Sequence, residues 1–370
     1  MLVVLALFDL LGLVAGFLLL RGGERAPGRE LLRGFGLAAT LVAACVVLGK
    51  LHWSDFVILR LLCHALFCVL APLALWRGLV HRGVVGWSLV LVALAAEGCY
   101  VWARRIEPQR LEVTHHRVES ERLAGRTGAL RVAVLADLQT DRIGPFEERV
   151  FAALAAERPD LLLVTGDLLQ TGSRPLDEVL LERRRLNELF ARLDPPPRLG
   201  MWFVKGDCDA RGDVFPGSGL RYLEDQAVVL EGEGVQLVGL SLGASRRSVP
   251  AELAARIRAF EGLSLVFAHA PDFALTLGEL DTPVLALAGH THGGQVQLPW
   301  FGPPLVLSNI PREIGGGGLF SLGASWLCVS RGIGMERNHA PRIRFLCRPE
   351  LTLLELAPPT EESAAPSSRP

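Results

Sequence analysis

The 370-residue sequence carries almost no net charge, lacks a regular cysteine pattern and shows no cleavable leader. Its 38 Lys and Arg side chains offset 39 Asp and Glu, so bulk charge gives no indication of a nucleic-acid partner. Seven cysteines, an odd number without metal-knuckle spacing, do not form the pattern of a disulfide framework. The first apolar run lacks the charged start and cleavage site of a signal peptide, which predicts a retained helix.

Apolar residues are abundant, at 50% of the chain, and unevenly placed. Before residue 103 they form runs long enough to span a bilayer, which takes about 20 residues in a helix. Four such runs predict membrane helices at about 1–20, 34–50, 56–76 and 84–103. Residues 1–105 are therefore predicted to be a multi-pass membrane region, with the lipid bilayer as a partner.

The arginines between these runs bear on orientation. Linker 21–34 carries four arginines and linker 77–83 carries two, whereas 50–55 offers only Lys50. The positive-inside rule then places both arginine-rich linkers in the cytoplasm and the rest of the chain outside. Three arginines just after the last run favour the opposite orientation. Within the runs, Arg60, His64 and Glu97 are interpreted as helix-end or interhelical groups.

Beyond residue 130 the pattern changes to short strands alternating with amphipathic helices. Helices are predicted at 145–157, 177–192 and 250–260. Strands are predicted at 130–136, 161–164, 199–205, 226–231, 235–241, 264–268, 284–288, 325–329, 343–347 and 351–356. This pattern favours two stacked sheets flanked by helices. The predicted organisation is a linker at 106–129, a domain at 130–356 and a disordered tail at 357–370.

The strongest motif is Gly-His-Thr-His-Gly-Gly-Gln at 289–295, directly after a predicted buried strand. Two imidazoles one residue apart on a glycine-rich loop, His290 and His292, can point at adjacent metal ions. Core histidines are usually single, so the run indicates metal binding.

Four other strand ends each deliver a further candidate ligand. Because ligands gather beyond the carboxyl ends of strands in α/β sheets, these side chains are expected to converge with the two histidines. They are Asp137, Asp167, Asp207 and His269. Hard oxygen and imidazole donors suit Mn, Fe, Zn or Mg better than a thiolate-preferring metal.

The order and spacing of these residues resemble the calcineurin-like metallophosphoesterase superfamily, and specifically its bacterial membrane-associated branch. The resemblance covers about 130–356, including Val329–Gly334 and Arg344–Leu354. It implies a four-layer αββα sandwich with two metal ions that activate a water for attack on phosphorus. It also implies that Asp137 and His292 hold one metal ion, that Asp167 bridges both, and that Asp207, His269 and His290 hold the second.

Two family motifs are altered here. The opening Asp-x-His reads Asp137-Leu138-Gln139, and Gly-Asn-His-Asp/Glu reads Gly206-Asp207-Cys208-Asp209. Gln139 can still offer a carbonyl oxygen, and Asp207 adds negative charge, so a harder cation such as Mn or Mg is favoured. Cys208 and Asp209 stand at catalytic positions of the family motif, and the alternative interpretation of Cys208 is an inert filler beside the metals. A thiol there is a weaker charge stabiliser than imidazole, which predicts slow turnover.

Two functions remain open from sequence. The first is a membrane-anchored phosphoesterase, acting on monoesters or diesters such as a lipid headgroup or cell-envelope phosphate. The second is a catalytically weakened domain that works as a binding or regulatory module. The loops 299–323 and 210–222 are predicted to form the rim of the site.

Overall fold

The computed structural model describes residues 2–20, 27–52, 54–81, 83–209, 215–337 and 339–359. It divides into two compact units. A helical unit comprises residues 1–106 and 336–343, and a sheet unit comprises 107–335 and 344–370.

Apolar helices make up the helical unit. They are α1 (Leu2–Leu20), α2 (Pro27–Leu51), α3 (Asp55–His64), α4 (Ala71–Val80) and α5 (Val84–Val101), with π-helical turns at Ala65–Leu70 and Trp102–Ile106. Three spans are long and apolar enough to cross a membrane, Leu32–Leu51, Asp55–Val80 and Val84–Gln109, and Leu5–Leu18 is a shorter apolar helix. The chain thus has the helices of a membrane protein.

Polar groups inside the helical unit pair with one another. His64 Nδ1 lies 2.9 Å from the Asp9 carboxylate, which joins α1 to α3. Gly16 permits close packing, because a Cβ there would come within 2.2 Å of Leu73. The His64 contact agrees with its interpretation as an interhelical group.

Two six-stranded sheets make up the core of the sheet unit. The strands are β1 (Glu112–Glu119), β2 (Leu130–Leu135), β3 (Leu161–Val164), β4 (Met201–Phe203), β5 (Leu220–Tyr222), β6 (Gln226–Leu230), β7 (Val235–Gly239), β8 (Leu263–Phe267), β9 (Val284–Ala288), β10 (Gly318–Leu322), β11 (Ser325–Val329) and β12 (Glu350–Ala357). One sheet has the order β1-β12-β2-β3-β4-β5, and the other β10-β11-β9-β8-β7-β6.

Helices accompany the strands along the chain. They are α6 (Pro145–Glu157), α7 (Leu176–Ala191), α8 (Leu242–Ser245), α9 (Ala251–Ala259) and α10 (Arg312–Gly315), with 3-10 segments at Glu107–Gln109, Glu121–Leu123, Asp272–Leu280 and His292–Gly294. The three helices predicted in this unit are confirmed as α6, α7 and α9.

Both faces of the central strands are buried, because side chains alternate along a strand. In β2, Val132 and Val134 join a cluster that also contains Leu265 and Leu285 from the other sheet. The neighbouring Ala133 and Leu135 join a different cluster with side chains of α6 and α7. A third cluster packs α9 and the segment Asp272–Leu280 on the second sheet. Apolar side chains therefore fix the strand ends that carry the predicted ligands.

The structure corrects the predicted linker 106–129. Residues Glu112–Glu119 form edge strand β1, which pairs in parallel with β12. Strand β1 lies at the edge of its sheet and pairs with one strand only. Edge strands commonly carry charged and polar residues, so the sequence of β1 shows no apolar run.

The predicted strand 343–347 is wrong. Only Phe345 makes an isolated bridge, to Val296, and Arg344 is buried as a hydrogen-bond donor instead. The predicted tail 357–370 begins at the last residue of β12, and its residues 360–370 lie outside the described chain.

Candidate metal centre

The predicted ligands follow five strands, β2, β3, β4, β8 and β9. Five of these side chains sit on backbone with positive φ, namely Asp137, Gln139, Asp167, His290 and His292. Such conformations are uncommon for residues other than glycine and cost on the order of 1–3 kcal/mol each. The surrounding sheets must therefore hold these loops against local strain, as is typical of functional sites.

Glycines make room for the carboxylates. A Cβ on Gly206 would lie 2.0 Å from Asp167 Oδ1, and one on Gly289 would lie 2.4 Å from Asp137 Oδ2. Gly206 and Gly289 therefore leave no room for a side chain, because the carboxylates of Asp167 and Asp137 approach them closely.

His269, His290 and Asp207 form one end of the site, defined here as the histidine end. His269 Nε2 lies 3.0 Å from His290 Nδ1 and 3.7 Å from Asp207 Oδ1. His290 Nδ1 lies 3.8 Å from Asp207 Oδ2. His269 Nδ1 lies 2.9 Å from the Thr165 carbonyl, which can only accept, so that nitrogen carries a proton and Nε2 faces the cluster.

Asp137 and Asp167 lie beside His269, deeply buried. The nearest oxygens of Asp137 and Asp167 lie 3.7 Å and 3.6 Å from the His269 ring nitrogens. Backbone amides orient both acids: His290 N donates to Asp137 at 2.9 Å, and Cys208 N donates to Asp167 at 2.8 Å. Asp167 also shares a cluster of potential ligand atoms with Asp207 and Cys208, which agrees with a central position.

Gln139 and Cys208, two of the three altered family positions, contact each other. Gln139 Nε2 donates to Cys208 Sγ at 3.2 Å, and the thiol lies 3.7 Å from Asp207 Oδ1. We define this pair as the Gln139–Cys208 end. The three departures from the family pattern, Gln139, Asp207 and Cys208, therefore lie together in space.

His292 is buried but falls in none of the clusters of potential ligand atoms among the described residues. Its Nδ1 is buried without a hydrogen-bond partner. A buried imidazole nitrogen in that position costs free energy unless an ion or another group binds it.

The buried carboxylates of the cluster favour the binding of a positively charged group. Burial raises the pKa of Asp137 to about 7 and that of Asp167 well above its usual range. Burial lowers the pKa of His269, but the charges of Asp167 and Asp207 outweigh it and raise the pKa to about 10. The pKa of His290 falls to about 4 because of burial and the neighbouring His269. A proton or a metal ion can supply the missing charge.

These residues fit a divalent cation. Carboxylate oxygens and imidazole nitrogens converge within 4.8 Å in the sets Asp207, His269, His290 and Asp137, Asp167, His269. His292 lies outside these sets, although its buried Nδ1 is left without a hydrogen-bond partner. Oxygen and imidazole donors are those that Mn, Fe, Zn and Mg accept.

Asp209 links two loops of the site. Its carboxylate accepts the amides of Asp167 at 2.7 Å, Leu168 at 3.1 Å and Gly206 at 2.8 Å. Both oxygens are thus engaged by backbone, which holds the Asp167 loop against the Asp207 loop. Its predicted catalytic role remains a prediction, and these contacts support positioning.

Sequence reasoning missed the clamp made by Arg344. Its fully buried guanidinium donates to carbonyls of Arg331 at 2.8 Å, Gly332 at 3.0 Å and Cys347 at 3.2 Å. The same turn reaches the site, because Gly334 N donates to the Asp137 carbonyl at 2.7 Å. An arginine in a predicted strand gave no sequence signal for this role.

Arg246, also missed, contacts the histidine end. Its Nη2 lies 2.6 Å from Asp207 Oδ2. With His290, Val306 and Leu307 it lines a cleft of about 410 Å³. Arg246 follows the short helix α8 and belongs to no motif, so only the fold brings it to the site.

Comparison with known proteins agrees with this geometry, although no family model matches the chain. The chain is 28% identical over 289 residues to a Bacillus subtilis protein called the uncharacterized metallophosphoesterase YkuE, covering 74% of the chain and 95% of that protein. The resemblance to calcineurin-like metallophosphoesterases is confirmed. Phosphodiesterase YaeI of Escherichia coli is 27% identical, over 71% of the chain and 94% of its own length.

A third relative is named for a lipid-related reaction. UDP-2,3-diacylglucosamine pyrophosphatase LpxG of Chlamydia muridarum is 22% identical, over 72% of this chain and 95% of that protein. The three names, phosphoesterase, phosphodiesterase and pyrophosphatase, agree with the predicted class of hydrolase acting on phosphoric ester bonds. The predicted roles of individual site residues remain predictions.

Proposed function

We propose that the chain is a membrane-anchored phosphoesterase with a dinuclear metal centre on a four-layer αββα domain. The observation that carries this proposal is the convergence of Asp137, Asp167, Asp207, His269 and His290 at one edge of two sheets. The names of the relatives support the reaction class. The apolar helices support the anchor.

Two divalent ions, when bound, would polarise a phosphoryl oxygen and supply a nucleophilic water. Asp137, His292 and Gln139 would hold one ion; Asp207, His269 and His290 would hold the other, and Asp167 would bridge them. The Thr165 carbonyl fixes the tautomer of His269, and the amides of His290 and Cys208 orient the two buried acids.

Arg246 and Cys208 act on the substrate itself. The guanidinium of Arg246, beside Asp207, binds a non-bridging phosphoryl oxygen, because guanidinium groups pair well with phosphate oxygens. By the family resemblance, the Cys208 thiol takes the position of the histidine that helps the leaving group depart. A thiol is a weak acid, so phosphoesters with good leaving groups are the best substrates.

Metal content and hydrolysis test the proposal together. The full chain, purified in detergent, is expected to contain two equivalents of Mn, Fe, Zn or Mg and to hydrolyse an aryl phosphodiester. One equivalent or none, with no hydrolysis over a panel of monoesters, diesters and pyrophosphates, would instead favour the binding or regulatory module. The Gln139–Cys208 contact is the observation that favours this second function.

The third name suggests the substrate. LpxG is named for a substrate that carries both a pyrophosphate and acyl chains. We propose a lipid or cell-envelope phosphoester as the substrate of this chain. We also propose four membrane helices, with the arginine-rich linkers in the cytoplasm and the sheet unit outside it. Protease treatment of intact spheroplasts tests the orientation, since a protected sheet unit would overturn it.

A further inference from the structure

An uncharged, apolar loop leads directly away from the metal-ligand motif. Residues 293–311 contain no Asp, Glu, Lys or Arg, although 21% of the chain is charged. We define the apolar loop as residues 296–307. Five of its side chains are large, apolar and exposed: Leu298, Trp300, Phe301, Leu305 and Leu307. Soluble monomeric proteins rarely expose several large apolar side chains in one short segment.

The loop has a defined conformation. Leu298 and Gly302 form an isolated antiparallel bridge, so the chain turns tightly through Trp300. Trp300 is fully exposed and has a φ of 62°. Arg312 donates to the carbonyl of Phe301 at 2.7 Å, and its guanidinium lies 3.9 Å from the Phe301 ring centroid. Full exposure of the apolar indole ring to water is unfavourable, which supports a partner surface at this turn.

The loop is fastened to the candidate site at both ends. Gly294 lies under it, because a Cβ there would come within 2.7 Å of Pro303 and of the Leu305 carbonyl. At its far end, Val306 and Leu307 line the cleft that contains His290 and Arg246. A surface that covers the apolar loop therefore lies next to the candidate metal centre.

We infer that the apolar loop contacts the surface of a lipid bilayer. The same chain carries three helices of membrane-spanning length, so a bilayer is the one apolar surface always near it. Tryptophan is enriched at the boundary between lipid and water, and phenylalanine and leucine are typical of segments that insert their apolar face just below it. The absence of acids from the loop removes repulsion from anionic headgroups. This contact does not depend on hydrolysis.

Fluorescence quenching tests the contact without measuring activity. The full chain and its Trp300→Phe variant are each reconstituted at one copy per lipid nanodisc, in plain or brominated phosphatidylglycerol and phosphatidylcholine. The difference between the two proteins isolates the emission of Trp300. We expect this difference to lose most of its intensity in brominated lipid and to resist quenching by iodide.

A matched control places a tryptophan at the opposite edge of the same unit. Glu231→Trp, added to Trp300→Phe, puts an exposed indole in the turn between β6 and β7. Its emission should respond to iodide and not to brominated lipid. If Trp300 behaves like this control, the bilayer contact is overturned. Protection from both quenchers, found only with several copies per disc, would overturn it in favour of a second copy of the chain.

Discussion

The two edges of the sheet unit differ in the groups that neutralise their carboxylates. At the carboxyl ends of the parallel strands, Asp137 and Asp167 are buried beside His269, and no arginine among the described residues forms an ion pair with either. Burial raises the pKa of both acids. At the opposite edge, Glu233 precedes β7 and pairs with Arg126 and Arg198. Hydrogen bonds from Arg198 lower the pKa of Glu233 to about 2. Two arginines neutralise Glu233 at this edge. At the site edge Asp137 and Asp167 share the imidazole of His269, and a metal ion can supply further positive charge there.

This difference separates stability from function. Glu233 and its arginines join the turn before β7 to the segments that precede β2 and β4, so their ion pairs hold the two sheets together at one edge. The acids at the other edge repel one another until a cation binds. The following predictions test that contrast, from the largest effect to the smallest.

Asp167→Asn should have the largest effect. It removes the central carboxylate of the metal edge, and loss of metal-based stabilisation worth several kcal/mol lowers kcat on the order of 10³-fold. Initial rates on an aryl phosphodiester measure the change. Asp281→Asn, on an exposed residue with similar backbone, is the control and should keep its activity. Equal rates in Asp167→Asn and wild type would refute the assignment of this edge.

Removal of metal should destabilise the metal edge. A ligand at about 100 times its Kd stabilises the folded state by roughly 2.7 kcal/mol, so chelation should lower the Tm and abolish hydrolysis. Thermal unfolding with and without chelator measures the shift, and added Mn²⁺ should restore both properties. In Asp167→Asn the chelator should change the Tm less. An unchanged Tm in the wild type would show that no stabilising metal was bound.

Cys208→His should raise the hydrolysis of simple aryl phosphodiesters, by about tenfold, because imidazole is a better charge stabiliser and proton donor than a thiol. Since Gln139 donates to this thiol, the double change Gln139→His with Cys208→His should exceed the product of the single effects. Steady-state kinetics of the four proteins gives the coupling. Unchanged or lower rates in Cys208→His and in the double variant would show that residue 208 does not limit catalysis.

Glu233→Gln should have the smallest effect, about 1 kcal/mol of stability at neutral pH. The native pKa lies below the unfolded value, so the stabilisation is present above about pH 4.5 and is lost as the pH falls toward 2. Unfolding of the full chain at pH 7 and near pH 3 measures the difference from wild type. Glu231→Gln, on the exposed neighbour, should change neither value. A loss of stability that is equal at both pH values would argue against the ion pairs.

Most of the fold could be predicted because apolar periodicity marks buried strands and helices. The strands on either side of Asp167 and His290 read clearly as short apolar runs. Strand β1 did not, since an edge strand with charged residues resembles a loop. The segment 343–347 misled the prediction, because Arg344 is buried to serve carbonyl oxygens rather than to pair with neighbouring strands.

The ligand types of the site were readable from motifs, whereas its supporting contacts were not. The glycine-rich run at 289–295 predicted a loop that presents His290 and His292. Arg246 and Arg344 come from segments without a motif, and the pairing of Gln139 with Cys208 joins residues far apart in the chain.

The sequence by itself determined that this chain has apolar helices, a strand-rich unit and a set of hard-metal ligands, because those properties depend on composition and local spacing. Only the tertiary structure decided which acids lie beside His269 and which beside arginines, which arginines reach the site, and that the far end of the apolar loop lines the cleft. Those facts depend on distances between strand ends and loops that the chain brings together from far apart.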